Sequence, residues 1–221
     1  MTVLWAALGA GALYALVALA FNVPLAASGV FNFAQPQFMM IGGFLAYEGF
    51  RWGLPVAVTL LICMAAGALI GYVEERVAIR PFEQNTTSRD ALVTTVGAAV
   101  VLQGIAYVIW GTTPKVVPLP GASVTLDVLG GRLGVLDLVL IVLAVVGCVA
   151  FAAVSKYTRW GLANRAATIN AEASQLRGIN VRQVRSRAFI LAGALAGGVG
   201  PIVAAQITAS VELGNNLLVL G

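Results

Sequence analysis

Residues 156–187 read KYTRWGLANRAATINAEASQLRGINVRQVRSR, and this stretch decides how the rest of the chain is arranged. Seven of the 13 Lys and Arg residues fall inside it: Lys156, Arg159, Arg165, Arg177, Arg182, Arg185 and Arg187. They face a single acid, Glu172. Uncharged runs long enough to cross a bilayer lie on both sides, and a basic loop between two spans belongs on the cytoplasmic face. The loop is much longer than a turn requires. Leu162 to Ala167 and Ala171 to Ala173 are mostly good helix formers. Gly178 then reads as a helix C-cap and Asn180 as the N-cap of the next helix. A short surface helix from Trp160 to Arg177, a sharp turn, and a second helix entering the membrane from about Val181 are expected. By charge alone, the arginines could serve merely to fix topology.

Hydrophobic residues make up 60% of the 221-residue chain and charged residues 10%, with a mean hydropathy of +0.93. Soluble domains carry about 25% charged residues, so the composition is that of a membrane protein. The net charge of +4 does not indicate nucleic acid, because the basic residues sit beside spans and lack interleaved aromatics. Cys63 and Cys148 lie within apolar runs and read as small buried hydrophobes, with no disulfide or metal site expected. Histidine is absent, which removes the commonest metal ligand and proton shuttle at neutral pH. Met1-Thr2-Val3 lacks the basic start of a cleaved leader, so the first apolar segment is expected to be a retained span.

Uncharged runs cover 1–47, 52–73, 91–114, 138–155 and 188–211. A hydrocarbon layer of about 30 Å needs roughly 20 helical residues, so each of the last four runs is one span. The first run holds two: a span at 3–21, a broken or re-entrant piece at 22–35 marked by Asn22-Val23-Pro24 and Ser28-Gly29, and a short span at 36–50. The expected fold is therefore an all-α polytopic bundle of about six spans. It forms a single transmembrane domain over 1–221, with 156–187 as a cytoplasmic loop within it. Placing that loop inside puts 74–90 inside as well, and leaves 115–137, Arg51 and the N-terminus outside. The Pro- and Gly-rich 115–137 stretch reads as an irregular outer cap. Residues 212–221 begin a further apolar stretch.

Glu48, Asp137 and Glu212 lie near span ends, and span centres lack the carboxylates and histidines that mark proton relays. The polar groups left inside are neutral. Thr94, Thr95 and Gln103 read as helix–helix contacts. Asn32 and Gln35, beside a proline break, read as part of a passage or a hinge, because broken helices in membranes line cavities or are buried in protein. Gly193 and Gly197 form a GxxxG pattern, with Gly200 and Pro201 just beyond. Close helix packing is the default for such a face, and a gating hinge above the basic loop is the alternative.

The order Glu172-Ala173-Ser174, three residues, Gly178 resembles the E-A-A…G signature on the cytoplasmic loop of ABC importer permeases, with Ser174 in place of the usual alanine. There a short helix docks into a cleft on the ATPase. Gly11-Ala12-Leu13-Tyr14-Ala15-Leu16, Phe31-Asn32-Phe33-Ala34, Glu75-Arg76-Val77-Ala78-Ile79-Arg80-Pro81 and Arg177-Gly178-Ile179-Asn180-Val181 together resemble the branched-chain amino acid permease family, in family order across nearly the whole chain. Gln35-Pro36 departs from the His-Gly usual in the family. The family continues through further membrane segments, so the chain is expected to be C-terminally incomplete.

The resemblance implies a translocation subunit of the prokaryotic inner membrane that performs no bond chemistry. Its partners would be a second related permease, two cytoplasmic ATPases that bind ATP and Mg, and an extracytoplasmic substrate-binding protein. No GxxxxGK[ST] loop is present in this chain to hold a nucleotide, so no cofactor is expected in it. ATPase coupling is expected at Arg165, Glu172, Ala173, Ser174, Arg177 and Gly178. Arg165 and Arg177 would pair with acids on the motor, and Glu172 would either join them or stabilise the loop internally. Passage or hinge roles are expected at Tyr14, Asn32, Phe33, Gln35 and Pro36. Amino acids are the expected solute, with urea, short amides, sugars or nucleosides as alternatives within the family. A stand-alone channel or ion-coupled carrier, or a scaffold using the Gly193–Pro201 face, are the rivals from other classes.

Overall fold

A computed structural model describes residues 1–29, 31–82, 88–119, 124–128 and 130–214. Among the described residues, eight α-helices carry the fold: α1 (Thr2–Ser28), α2 (Gln35–Arg51), α3 (Val56–Glu74), α4 (Ser88–Trp110), α5 (Val135–Tyr157), α6 (Arg159–Ile169), α7 (Ala171–Leu176) and α8 (Val181–Ile207). Five of them, α1, α3, α4, α5 and α8, are long and apolar enough to cross a membrane. At 17 residues α2 is the short sixth, about 26 Å long at ~1.5 Å per residue. It lies in the middle of the bundle, where Phe38, Met39, Met40 and Phe44 are fully buried.

The core is a three-helix contact of α2, α3 and α8, with α1 against α8 and α5 against α1. Small residues let these backbones touch. A Cβ at Gly193 of α8 would overlap the Gly67 carbonyl oxygen of α3, and a Cβ at Gly67 would overlap that of Gly193. On the other side of α8, the Gly197 carbonyl meets Gly42 of α2. Pro201, four residues on, has no N–H to offer that carbonyl. The freed oxygen therefore faces a neighbouring helix instead of its own ladder. In contrast, α4 and α5 turn large side chains outward, among them Val100, Val101, Val108, Val142, Val145 and Val149. Apolar side chains exposed along a membrane helix face lipid or another membrane subunit.

The two ends of the bundle are distinct. At one end lie the α1–α2 turn, the foot of α3, and α6 and α7. At the other lie the N-terminus, the turn at Gly53, residues 111–119 and the strands Thr125–Val128 and Gly131–Gly134. Lys115 bridges to Ala209 there, and the Arg132 N–H donates to the Thr2 hydroxyl at 3.2 Å. This grouping matches the alternation expected from the uncharged runs.

Several boundaries differ from expectation. The break near 22–35 is narrower: α1 runs on through Asn22, Val23 and Pro24 to Ser28 and ends at Gly29, whose φ is 68°. A proline so close to a helix end removes only one ladder bond, and Asn22 Nδ2 donates back to Ala18 O at 2.8 Å. Pro36 sits in the first turn of α2, where an N–H is not needed. The outer stretch is not wholly irregular, since Thr125–Val128 and Gly131–Gly134 pair as an antiparallel hairpin. The surface helix expected from Trp160 to Arg177 is two helices, α6 and α7, hinged at Asn170. Finally, the segment from 74 continues helically as a π-helical turn, Glu75–Ile79, and a 3₁₀ turn, Arg80–Phe82. The stretch from 215 to 221 lies outside the described residues.

Candidate functional site

The basic loop is built from caps. Thr158 accepts from Gly161 N at 3.0 Å through its hydroxyl and starts α6. Asn170 closes α6 and opens α7, its Oδ1 accepting from Ala173 N at 2.9 Å. At the far end of α7, Gly178 takes φ 82°. Ile179 N donates to Ser174 O at 3.0 Å and Gly178 N to Gln175 O at 2.9 Å, the paired bonds of a Schellman motif. Asn180 Oδ1 then accepts from Gln183 N at 3.0 Å and begins α8. Both ends of α7 are therefore capped locally, and six residues hold as a helix outside the bundle.

The loop has an anchored half and a projecting half. Asn164 Nδ2 and Thr168 Oγ1 of α6 donate to Ala26 O in the last turn of α1, at 2.9 and 2.8 Å. These bonds satisfy a carbonyl that the ending helix leaves open. By comparison α7 barely touches the body. Of the coupling residues expected from the sequence, Arg165, Glu172, Ala173, Arg177 and Gly178 are exposed. Arg165, Glu172 and Arg177 have no ion-pair partner among the described residues. Only Ser174 is buried, its hydroxyl donating to Asn170 O at 2.8 Å. The sequence reading missed two apolar neighbours. Leu176 is 90% exposed and Ile169 86% exposed. Large apolar side chains held this far out, on a loop beyond the spans, suit a protein surface that covers them.

Beneath α7, polar groups meet in the bundle. Asn32 Nδ2 donates to Glu74 Oε2 at 2.7 Å, and Asn32 Oδ1 accepts from Ala34 N at 2.8 Å. Gln35 Nε2 donates to Ala192 O of α8 at 2.9 Å. Arg185 Nε lies 3.5 Å from Glu75 Oε1. Asn32, Gln35, Glu74, Glu75 and Arg185 are all buried. In this conformation Asn32 and Gln35 are thus locked into helix contacts and closed off from solvent. Pro36 is buried beside them, and Phe33 packs edge-on to Phe31 at 5.1 Å. Tyr14 is apart from this group, mid-way along α1 and 43% exposed. Gly193, Gly197, Gly200 and Pro201 are buried in the α8 contacts already described.

Glu74 was not singled out from the sequence, and Glu75 only as the start of a family-like stretch, because four charges within 74–80 resemble a loop. The available signal was the uncharged α3 run leading straight into them without a breaker. Thr94 and Gln103 do reach beyond their own helix: Thr94 Oγ1 donates to Ala78 O in the turn after α3 at 2.7 Å, and Gln103 Nε2 to Val211 O in the turn after α8 at 3.3 Å. Thr95 instead bonds within its own helix, to Leu92 O at 2.9 Å. At the opposite end, a cleft of about 300 Å³ opens between α2, α3 and α4, lined by Glu48, Trp52, Thr59 and Trp110 among others.

Comparison with known proteins places these features in context. The family model described as "Branched-chain amino acid transport system / permease component" matches residues 3–219. The high-affinity branched-chain amino acid transport system permease protein LivH of Salmonella typhimurium is 24% identical over 209 residues, covering 87% of this chain and 67% of that protein. LivH of Escherichia coli K12 is 26% identical over 208 residues, with the same coverages. The corresponding BraD of Pseudomonas aeruginosa is 28% identical over 202 residues, covering 84% and 64%. No solved structure matches.

Proposed function

The chain belongs to the branched-chain amino acid transport permease family, and from that membership we propose that it is the membrane-spanning permease subunit of an ABC importer for branched-chain amino acids. It acts in the inner membrane with a second related permease, two cytoplasmic ATPases and an extracytoplasmic binding protein. ATP and Mg belong to the motor subunits.

The observation that carries this reading is α7. It is a doubly capped helix of six residues that presents Glu172 and Leu176 outward, flanked by the exposed Arg165 and Ile169 of α6 and the exposed Arg177 at its C-cap. The apolar side chains of Leu176 and Ile169 fit a cleft on another protein, and the unpaired charges around them fix orientation on docking. The mechanics depend on what its ends hold. Through Asn170 and α6 a push on α7 reaches the end of α1. Through Gly178 and Asn180 it reaches the start of α8, which is in backbone contact with α3 and α2. Motion at one surface helix is thereby delivered to two sides of the bundle.

The solute passes along the α1 face of this chain. Tyr14 and Asn22 are exposed on α1, and polar groups in a membrane helix face protein or a watered passage rather than lipid. That face of α1 meets the second permease, and the passage runs between the two. Gln35-Pro36, which departs from the family pattern, serves the α2–α8 contact.

Reconstitution tests this directly. The chain, its partner permease, the ATPases and the binding protein are placed in proteoliposomes, and labelled leucine uptake is measured with and without ATP. Uptake that needs ATP, the ATPases and residues 162–178 is expected. Uptake by the chain alone would mark a channel or carrier. ATP-driven uptake of urea or a sugar, with leucine excluded, would overturn the solute assignment.

A further inference from the structure

Neither solute passage nor motor docking gives a task to the Glu75–Pro81 stretch at the foot of α3. The backbone leaves α-helical geometry there, as a π-helical turn over Glu75–Ile79. Such turns are uncommon and frequently mark functional sites. Glu74 is 5% exposed and Glu75 0%. Glu74 binds Asn32 in the α1–α2 turn at 2.7 Å, and Glu75 lies 3.5 Å from Arg185 Nε in the second turn of α8. Thr94 of α4 donates to Ala78 O inside the same turn. Polar contacts from α8, the α1–α2 turn and α4 thus converge on one short piece of α3. Arg185 stands only five residues beyond Asn180, which caps α8 just after the lever.

Burying these charges is a poor route to stability, since apolar residues of equal volume commonly do as well or better. The cluster is not fully satisfied either: Glu74 Oε1 and both Glu75 carboxylate oxygens have no hydrogen-bond partner among the described residues, so Glu75 meets Arg185 as an ion pair. A specific tie between separate helices is what such a cluster supplies, through the Asn32–Glu74 hydrogen bond and the charge attraction of Arg185 for Glu75. The glycine contacts higher up fix how closely α8 and α3 approach, and the polar cluster adds a tie by partner identity at the end nearest α7.

We propose that Arg185 and Glu75, braced by Asn32 and Glu74, are the positioning residues that carry displacement of α7 from α8 into α3 and the α1–α2 turn. They keep ATP hydrolysis coupled to opening of the passage. The proposal rests on the permease reading above. With the pair in place, α8 cannot move without moving α3. With it gone, displacement of α8 is passed on less fully at this end and the motor turns over with less solute moved.

The test is leucine taken up per ATP hydrolysed by the complete complex in proteoliposomes. It compares the unsubstituted chain with Glu75→Gln, with Arg185→Gln, and with the exchanged pair Glu75→Arg plus Arg185→Glu. Each single substitution is expected to lower the ratio about tenfold, the size of a typical coupling, while hydrolysis continues. The exchanged pair is expected to recover much of the loss, as residues in direct contact do. If a single variant fails to assemble, the double neutral variant Glu75→Gln plus Arg185→Gln is read instead, and it too is expected to hydrolyse without transporting. An unchanged ratio in assembled variants, or hydrolysis and uptake falling together without rescue, overturns the proposal. An unsubstituted complex that shows no ATP-driven uptake refutes the permease reading and this inference with it.

Discussion

Gly193 and Gly97 are the same residue in two membrane helices, yet their surroundings make opposite demands. A Cβ at Gly193 would overlap the backbone of α3 at Gly67, whereas one at Gly97 on α4 meets nothing within 4 Å. Alanine at Gly97 is expected to leave the thermal midpoint unchanged or raise it slightly, since Ala is favoured over Gly in a helix by roughly 1 kcal/mol. Alanine at Gly193 is expected to cost about 1–3 kcal/mol through overpacking, lowering the midpoint and the yield of assembled complex. Thermal unfolding of the purified complex in detergent checks both. The GxxxG spacing made Gly193 and Gly197 legible as a packing face, but it gave no hint of the partner. Nor did it reveal that Pro201 frees the Gly197 carbonyl for Gly42. Burial of Glu75 was illegible for a related reason. Its partner Arg185 is 110 positions away in the chain, and local charge density around it imitated a loop.

At the scale of elements, α7 is short and depends on its ends. Gly178 holds φ 82°, which costs an L-residue with a side chain roughly 1–2 kcal/mol. Asn170 supplies an N-cap whose loss costs about 1 kcal/mol. Because α7 packs little on the bundle, Gly178→Ala and Asn170→Ala are expected to leave the global midpoint nearly unchanged. ATP-driven uptake should fall severalfold, since ~1 kcal/mol shifts a local equilibrium about fivefold. A parallel loss of midpoint and uptake would instead mean that α7 is part of the core. Gly178 and Asn180 were readable as caps because they are the standard residue types at the standard places. Asn170 was not, because Ala166–Ala167 and Ala171–Ala173 on either side read as one continuous helix. The α1 boundary was misplaced because Pro24 signals a break only when enough helix lies beyond it to lose.

On the whole-molecule scale, ten of the 13 basic residues lie at the end that carries α6 and α7. The remaining three, Arg51, Lys115 and Arg132, lie at the other. This asymmetry faces α7 toward the cytosol and gives the bundle a driven end and a receiving end. The fold was legible at this scale because lipid demands long uncharged helices, and such runs are visible in any sequence. Their packing order was not, since every span looks alike until glycine faces and buried polar groups select neighbours. The most direct measurement uses Leu176→Cys in a chain whose Cys63 and Cys148 are replaced by alanine, assembled with its partners in membrane vesicles of known orientation. A membrane-impermeant thiol reagent is expected to label position 176 from the cytoplasmic side only, and a short thiol cross-linker is expected to join it to an ATPase subunit. Labelling from the opposite side, or an intact complex that yields no ATPase adduct from position 176, would contradict the lever.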